Sequence, residues 1–189
     1  MTVKRIYLVR HCKAAGQEPE ASLTAEGERQ AERLADFLAG RKVDRIVSSP
    51  FERAVASVRP YADMAGIAIE TDERLAERVL SAEPLPDWME RLKASFDDLD
   101  AKWPGGESSR EAMARGYGVI RECWSRPERN TVVVSHGNLI ALILKACDDR
   151  YGYEDWNKLT NPDVYELCKA DGTEEIRIRR LWNGAAESG

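Results

Sequence analysis

Four short runs of β-branched and aromatic residues punctuate this chain, at Val3 to Val9, Asp44 to Val47, Ile67 to Thr71 and Thr131 to Val134, with helix-like stretches between them. Strands that alternate with helices call for a largely parallel sheet covered on both faces, because each crossover lays a helix on one side or the other. Two later runs, Val164 to Lys169 and Glu175 to Trp182, flank Ala-Asp-Gly-Thr. Asp-Gly is a hairpin signal, so at least one sheet edge is expected to be antiparallel. The reading is an α/β three-layer sandwich: a mostly parallel sheet with an antiparallel edge and helices on both faces.

Helix limits follow from caps. Thr24 opens a helix to about Ala39 that Gly40 closes, with Ala31, Leu34, Ala35 and Leu38 as its apolar stripe. Ser49 is read as an N-cap with Pro50 at the first helical position, and Phe51, Val55, Val58 and Ala62 as the buried face. Asn138 is read as the cap of a helix over 139–146. Residues 72–128 break the rhythm. Prolines and glycines there bound two helical stretches, Asp87 to Leu99 and Ser108 to Trp124, so a helical insertion is expected, with Ser108 as a cap, Glu107 as a neighbour complementing the helix dipole, and Trp88, Trp103 and Trp124 in the core.

At 189 residues, the chain is expected to be one domain, 1–189. Its longest apolar run, Leu139 to Leu144, is far short of the roughly 20 residues a membrane helix needs. The start MTVKRIYLVRH lacks a signal-peptide layout, which points to the cytoplasm and away from a membrane. A net charge of −5 without a basic tract argues against a nucleic-acid partner. Four scattered cysteines with no C-x-x-C pair read as reduced thiols; no metal or other cofactor is expected.

In open α/β sheets ligands bind beyond the carboxyl ends of the strands. Three polar clusters fall at such places: Arg10-His11, Ser48-Ser49-Pro50 with Arg53, and Ser135-His136-Gly137-Asn138. Both histidines of the chain are among them, with two arginines and no acidic residue. Arginine forks and helix N-termini suit phosphate oxygens, and a neutral imidazole can attack phosphorus while a second one contacts the equatorial oxygens.

These segments resemble the histidine phosphatase superfamily, also called phosphoglycerate mutase-like. LVRHCKA resembles its Arg-His-Gly signature, LTAEGERQA its first-helix motif, SSPFERAVAS its second arginine motif, and DERLAER its acidic loop. PGGESSREAMAR resembles the opening of the later helix and VVVSHGNLIALI the second histidine motif. The resemblance implies His11 as the phosphorylated nucleophile, a phosphate pocket of Arg10, Arg53, His136 and Gly137, and Glu77 as proton donor, with Asp72 and Glu73 as alternative carboxyls. Cys12 stands where the signature has glycine, and Lys13 where a glutamate or glutamine is common. Lys13 is a candidate to alter substrate choice. Cys12 is read as a packed residue in preference to a redox-sensitive thiol.

The resemblance implies a metal-independent phosphomonoester hydrolase for a small phosphorylated metabolite, of the small bacterial type that acts on sugar phosphates or a ribazole phosphate. The helical insertion sets it apart from the stripped-down phosphohistidine phosphatase branch. Two alternatives stay open. One is a phosphoglycerate mutase, disfavoured by the brief 12–22 loop and the short tail to Gly189; the other is a catalytically weak binder of phosphorylated ligands.

Overall fold

The computed structural model describes residues 3–182, so the tail beyond Trp182 lies outside the described residues. Six strands form one sheet: β1 (Val3–Arg10), β2 (Arg45–Ser48), β3 (Ile69–Thr71), β4 (Asn130–Ser135), β5 (Asp163–Ala170) and β6 (Ile176–Trp182), in the order β3-β2-β4-β1-β5-β6. The β3, β2, β4 and β1 pairings are parallel, whereas β1–β5 and β5–β6 are antiparallel. Gly172, at φ +78°, takes the left-handed conformation that the final hairpin turn requires.

The period-2 alternation of side chains divides the core. Tyr7, Val9, Ile46, Val132 and Val134 face α1 (Ala25–Ala39) and α2 (Glu52–Ala65). Ile6, Leu8, Val47, Val133 and Leu167 face the other way, toward α3 (Trp88–Asp97), α4 (Ser109–Ser125) and α5 (Gly137–Cys147). A short helix, α6 (Tyr153–Asn157), precedes β5. The expected three layers are all present.

Four details differ from the sequence reading. Phe51, not Ser49, occupies the N-cap of α2, and Arg53, Ala54, Ser57, Val58, Tyr61 and Ala62 are its buried residues, while Val55 is only half-buried. The N-cap of α5 is His136, with Asn138 already inside the helix. Within 72–128, α4 packs on the sheet beside α5 through Ala112, Val119, Ile120 and Cys123, so it belongs to the covering layer and the excursion is confined to the part before it. Trp88 is not core: it begins α3 and is 46% exposed, its ring 6.4 Å from that of Trp156. Thr24 and Ser108 cap their helices as expected, the latter in a capping box with Glu111.

Candidate active site

Three neighbouring strand ends build the site. Arg10 lies opposite Ser135 in the β1–β4 pairing, and Ser48 opposite Val134 in the β2–β4 pairing. The ladder runs one step further, since the His11 N–H donates to the Ser135 carbonyl at 3.1 Å and the Ser49 N–H to the Val134 carbonyl at 2.9 Å. His11, Ser49 and His136 therefore leave the sheet side by side at its carboxyl edge. The two imidazole centroids are 5.1 Å apart.

The His11 tautomer is fixed by its neighbours. Nδ1 lies 2.7 Å from the Cys12 carbonyl, which can only accept, so Nδ1 carries the proton and Nε2 presents a lone pair. Arg53 Nε–H donates to that Nε2 at 3.3 Å. Burial, together with the Arg53 and Arg10 charges and against the Cys12 hydrogen bond, pulls the His11 pKa down to about 3. Burial, then His11, Arg53 and Arg10, pull that of His136 to about 2. Both rings are neutral around pH 7. His136 Nε2 pairs with Ser49 Oγ at 2.8 Å, and the same oxygen accepts from the Phe51 N–H at 3.3 Å, so the hydroxyl serves the site while bracing the turn just before α2.

Arg53, 1% exposed, is held by the 12–22 loop, its Nη1–H donating to the Glu18 carbonyl at 2.8 Å. Arg10 donates from Nη1 to the Leu159 carbonyl at 3.0 Å and lies flat against the start of α5. A Cβ on Gly137 would stand 3.1 Å from the Arg10 guanidinium carbon, closer than ordinary packing, so glycine lets the two approach. Burial lowers the pKa of both arginines, and the Glu77 charge opposes this in each case.

Glu77 occupies the N-terminus of α5. Its Oε2 accepts from the Asn138 N–H at 3.1 Å and its Oε1 from the Leu139 N–H at 3.0 Å and the Arg78 N–H at 2.8 Å. The two helix N-termini expected to await an anion are thus partly engaged already: α5 by Glu77, and α2 by the Pro19 carbonyl, which accepts from the Glu52 N–H. Of the alternative carboxyls, Asp72 is tied to Arg74, which lowers its pKa, and Glu73 is exposed on the 3-10 turn Glu73–Leu75.

Cys12 is fully buried, and burial pushes its thiol up to about 11, the profile of a packed residue. Lys13 points to solvent and pairs with Glu26 at 2.5 Å. Glu107 is more than a dipole neighbour, since its carboxylate is gripped by Arg115. Sequence reasoning missed Ser57, whose Oγ accepts from the Cys12 N–H at 2.7 Å, and Asn161, whose side-chain amide donates to the His11 carbonyl at 2.8 Å. The Asn-Pro dipeptide at 161–162 was the available signal for the second, marking a turn that leads into β5.

An α/β sheet with two histidines, a buried Arg53 and a half-buried Arg10 at its carboxyl edge defines a class of anion-handling proteins. The family follows from the sequence match: residues 6–183 fit the model of the histidine phosphatase superfamily (branch 1), and the chain belongs to that superfamily. Glucosyl-3-phosphoglycerate phosphatase of Mycobacterium tuberculosis is 29% identical, over 99% of this chain and 97% of its own. The native structure of the mycobacterial glucosyl-3-phosphoglycerate phosphatase aligns with a TM-score of 0.77 at 25% identity, covering 97% of this chain and 100% of that one. A protein named "Probable phosphoglycerate mutase GpmB", from Enterobacter sp., is 28% identical over 70% of this chain and 69% of its own.

Proposed function

We propose that this chain hydrolyses phosphomonoesters of small metabolites through a phosphohistidine on His11, without a metal ion. The observation that carries the reading is the His11 tautomer: the Cys12 carbonyl holds the Nδ1 proton, leaving a neutral Nε2 lone pair among cationic groups. A phosphate dianion takes over the Arg53 N–H now donated to Nε2, and Arg10, His136 and the Gly137 amide contact its other oxygens. Nε2 then attacks phosphorus in line with the leaving oxygen, the P–O bond to the alcohol breaks, and Glu77 supplies the proton the alkoxide needs. In the second half Glu77 takes a proton from water, the water oxygen bonds to phosphorus, the P–N bond breaks and phosphate leaves. The arginines provide the charge neutralisation that Mg²⁺ gives in kinases.

Sugar phosphates and phosphoglycerate derivatives are the substrate class that the relatives' names favour. A single domain over residues 1–189 fits the one sheet with a core on each face. A cytoplasmic location fits four free cysteines, and no described helix is long and apolar enough to cross a membrane.

A phosphatase screen over phosphorylated metabolites, with and without chelator, tests the reading. Release of phosphate unaffected by EDTA supports it; loss in EDTA restored by Mg²⁺ overturns the metal-free route. The mutase-named relative keeps a second reading in view. The 12–22 loop is closed on itself by the Ala14–Leu23 bridge, leaving a short cover over the site, so hydrolysis is expected to win. With 3-phosphoglycerate and catalytic 2,3-bisphosphoglycerate, phosphate should outrun 2-phosphoglycerate; the reverse makes the chain a mutase.

A further inference from the structure

The stretch that carries Glu77 is held by side chains from elsewhere. On its N-terminal side, Arg115 Nη1 donates to the Arg74 and Ala76 carbonyls, both at 2.8 Å. On its C-terminal side, the buried Arg78 donates to Ser95 Oγ and Ser109 Oγ at 2.9 Å each and to the Glu107 carbonyl at 3.1 Å. The Glu107 N–H donates to the Val79 carbonyl at 2.8 Å. One ion pair joins the two sides, Arg115 gripping the Glu107 carboxylate at 2.7 and 2.8 Å. Glu77 itself has its carboxylate on α5. Its backbone is therefore placed from α4 and its head group from α5.

We propose that Arg115 is a positioning residue for the Glu77 carboxyl, a role that rests on reading Glu77 as proton donor. A single planar fork serves two carbonyls and one carboxylate at once, which an ammonium cannot reproduce. The seat of α4 on the sheet is made by other residues, its own apolar face of Ala112, Val119, Ile120 and Cys123. Without Arg115, the Arg74 and Ala76 carbonyls lose their donor and the segment shifts relative to α5. A displacement of about 1 Å at a proton donor is enough to cost about 10²-fold in rate.

The test compares Arg115→Ala, Arg115→Lys, Glu77→Gln and the Glu77→Gln/Arg115→Ala double variant on an alkyl monophosphate and on p-nitrophenyl phosphate, with inhibition by inorganic phosphate and thermal melting measured alongside. Arg115→Ala should lower kcat on the alkyl ester ~10- to 100-fold and on the aryl ester less than ~3-fold, with phosphate inhibition unchanged and Arg115→Lys in between. In the Glu77→Gln background, Arg115→Ala should add no further selective loss. Equal losses on both esters for Arg115→Ala and Arg115→Lys, while Glu77→Gln stays selective, overturn the proposal alone. A Glu77→Gln variant that loses equally on both esters overturns the proton-donor reading and the proposal with it. If Arg115→Ala does not fold, the alkyl-to-aryl ratio of Arg115→Lys decides.

Discussion

The two halves of the site are built by different means. His11, Ser49 and His136 sit where three adjacent strands end, and their placement follows from main-chain pairing: fix the register of β1, β2 and β4 and all three emerge together. Glu77 sits in an irregular stretch between a 3-10 turn and α3, placed by side chains of α4 and by the amides of α5. A sheet edge specifies a site through obligatory hydrogen bonds, whereas a loop specifies one through optional contacts. On this account the phosphate half is the sturdier and the proton-transfer half the more tunable.

The sharpest way to break the comparison is to remove the nucleophile. His11→Ala should abolish turnover by at least about four orders of magnitude, with an intact circular dichroism spectrum, because the sheet edge does not need the imidazole. A variant that keeps appreciable activity would move the nucleophile elsewhere. Next in size is Glu77→Gln, expected to slow alkyl esters by about 10²- to 10⁴-fold and an activated aryl ester by only a few fold. Steady-state rates on the two substrates settle it.

Acid stability sharpens the comparison from the phosphate side. Both histidines have native pKa values far below the ~6.5 of an unfolded chain, so the unfolded state binds protons that the native state refuses. Their contribution is fully present above about pH 6.5 and is lost as pH falls toward about 3. Urea melts between pH 7 and 5.5 should show a declining midpoint, and His136→Gln should make the decline shallower; an unchanged slope contradicts the burial account. The smallest effect belongs to Lys13→Ala. Its exposed pair with Glu26 should leave the denaturant midpoint nearly unchanged, with little change in KM. A large change in KM would instead bring Lys13 into substrate binding.

The sequence made the strand-end half legible because each element there advertises itself. TVVV and VKRIYLV are buried strands by composition, and a histidine two residues after each has one place to go. The caps were less legible. Ser49 and Asn138 are good N-cap residues, yet Ser49 Oγ bonds His136, and α5 starts one residue earlier than expected, at Gly137, which leaves Asn138 inside the helix with its backbone N–H donating to Glu77. That Glu77 shares the α5 terminus was equally hidden, since nothing local in LAERVL shows that Glu77 bonds Asn138, 61 residues on, at the start of α5. Nor does spacing show that Arg115 would span Arg74, Ala76 and Glu107. Such ties join residues far apart in the chain through irregular backbone, and they carry no periodicity to read.

The central claim is that His11 Nε2 becomes bonded to phosphorus during turnover. Mixing the enzyme with a ³²P-labelled phosphomonoester, quenching in base within the first turnover, and mapping the labelled peptide tests it directly. The account predicts acid-labile, base-stable label on the segment containing His11, formed as fast as the alcohol is released and lost as phosphate appears. Stable label on a serine, a cysteine or His136, or a full burst of alcohol with no labelled protein, would contradict it.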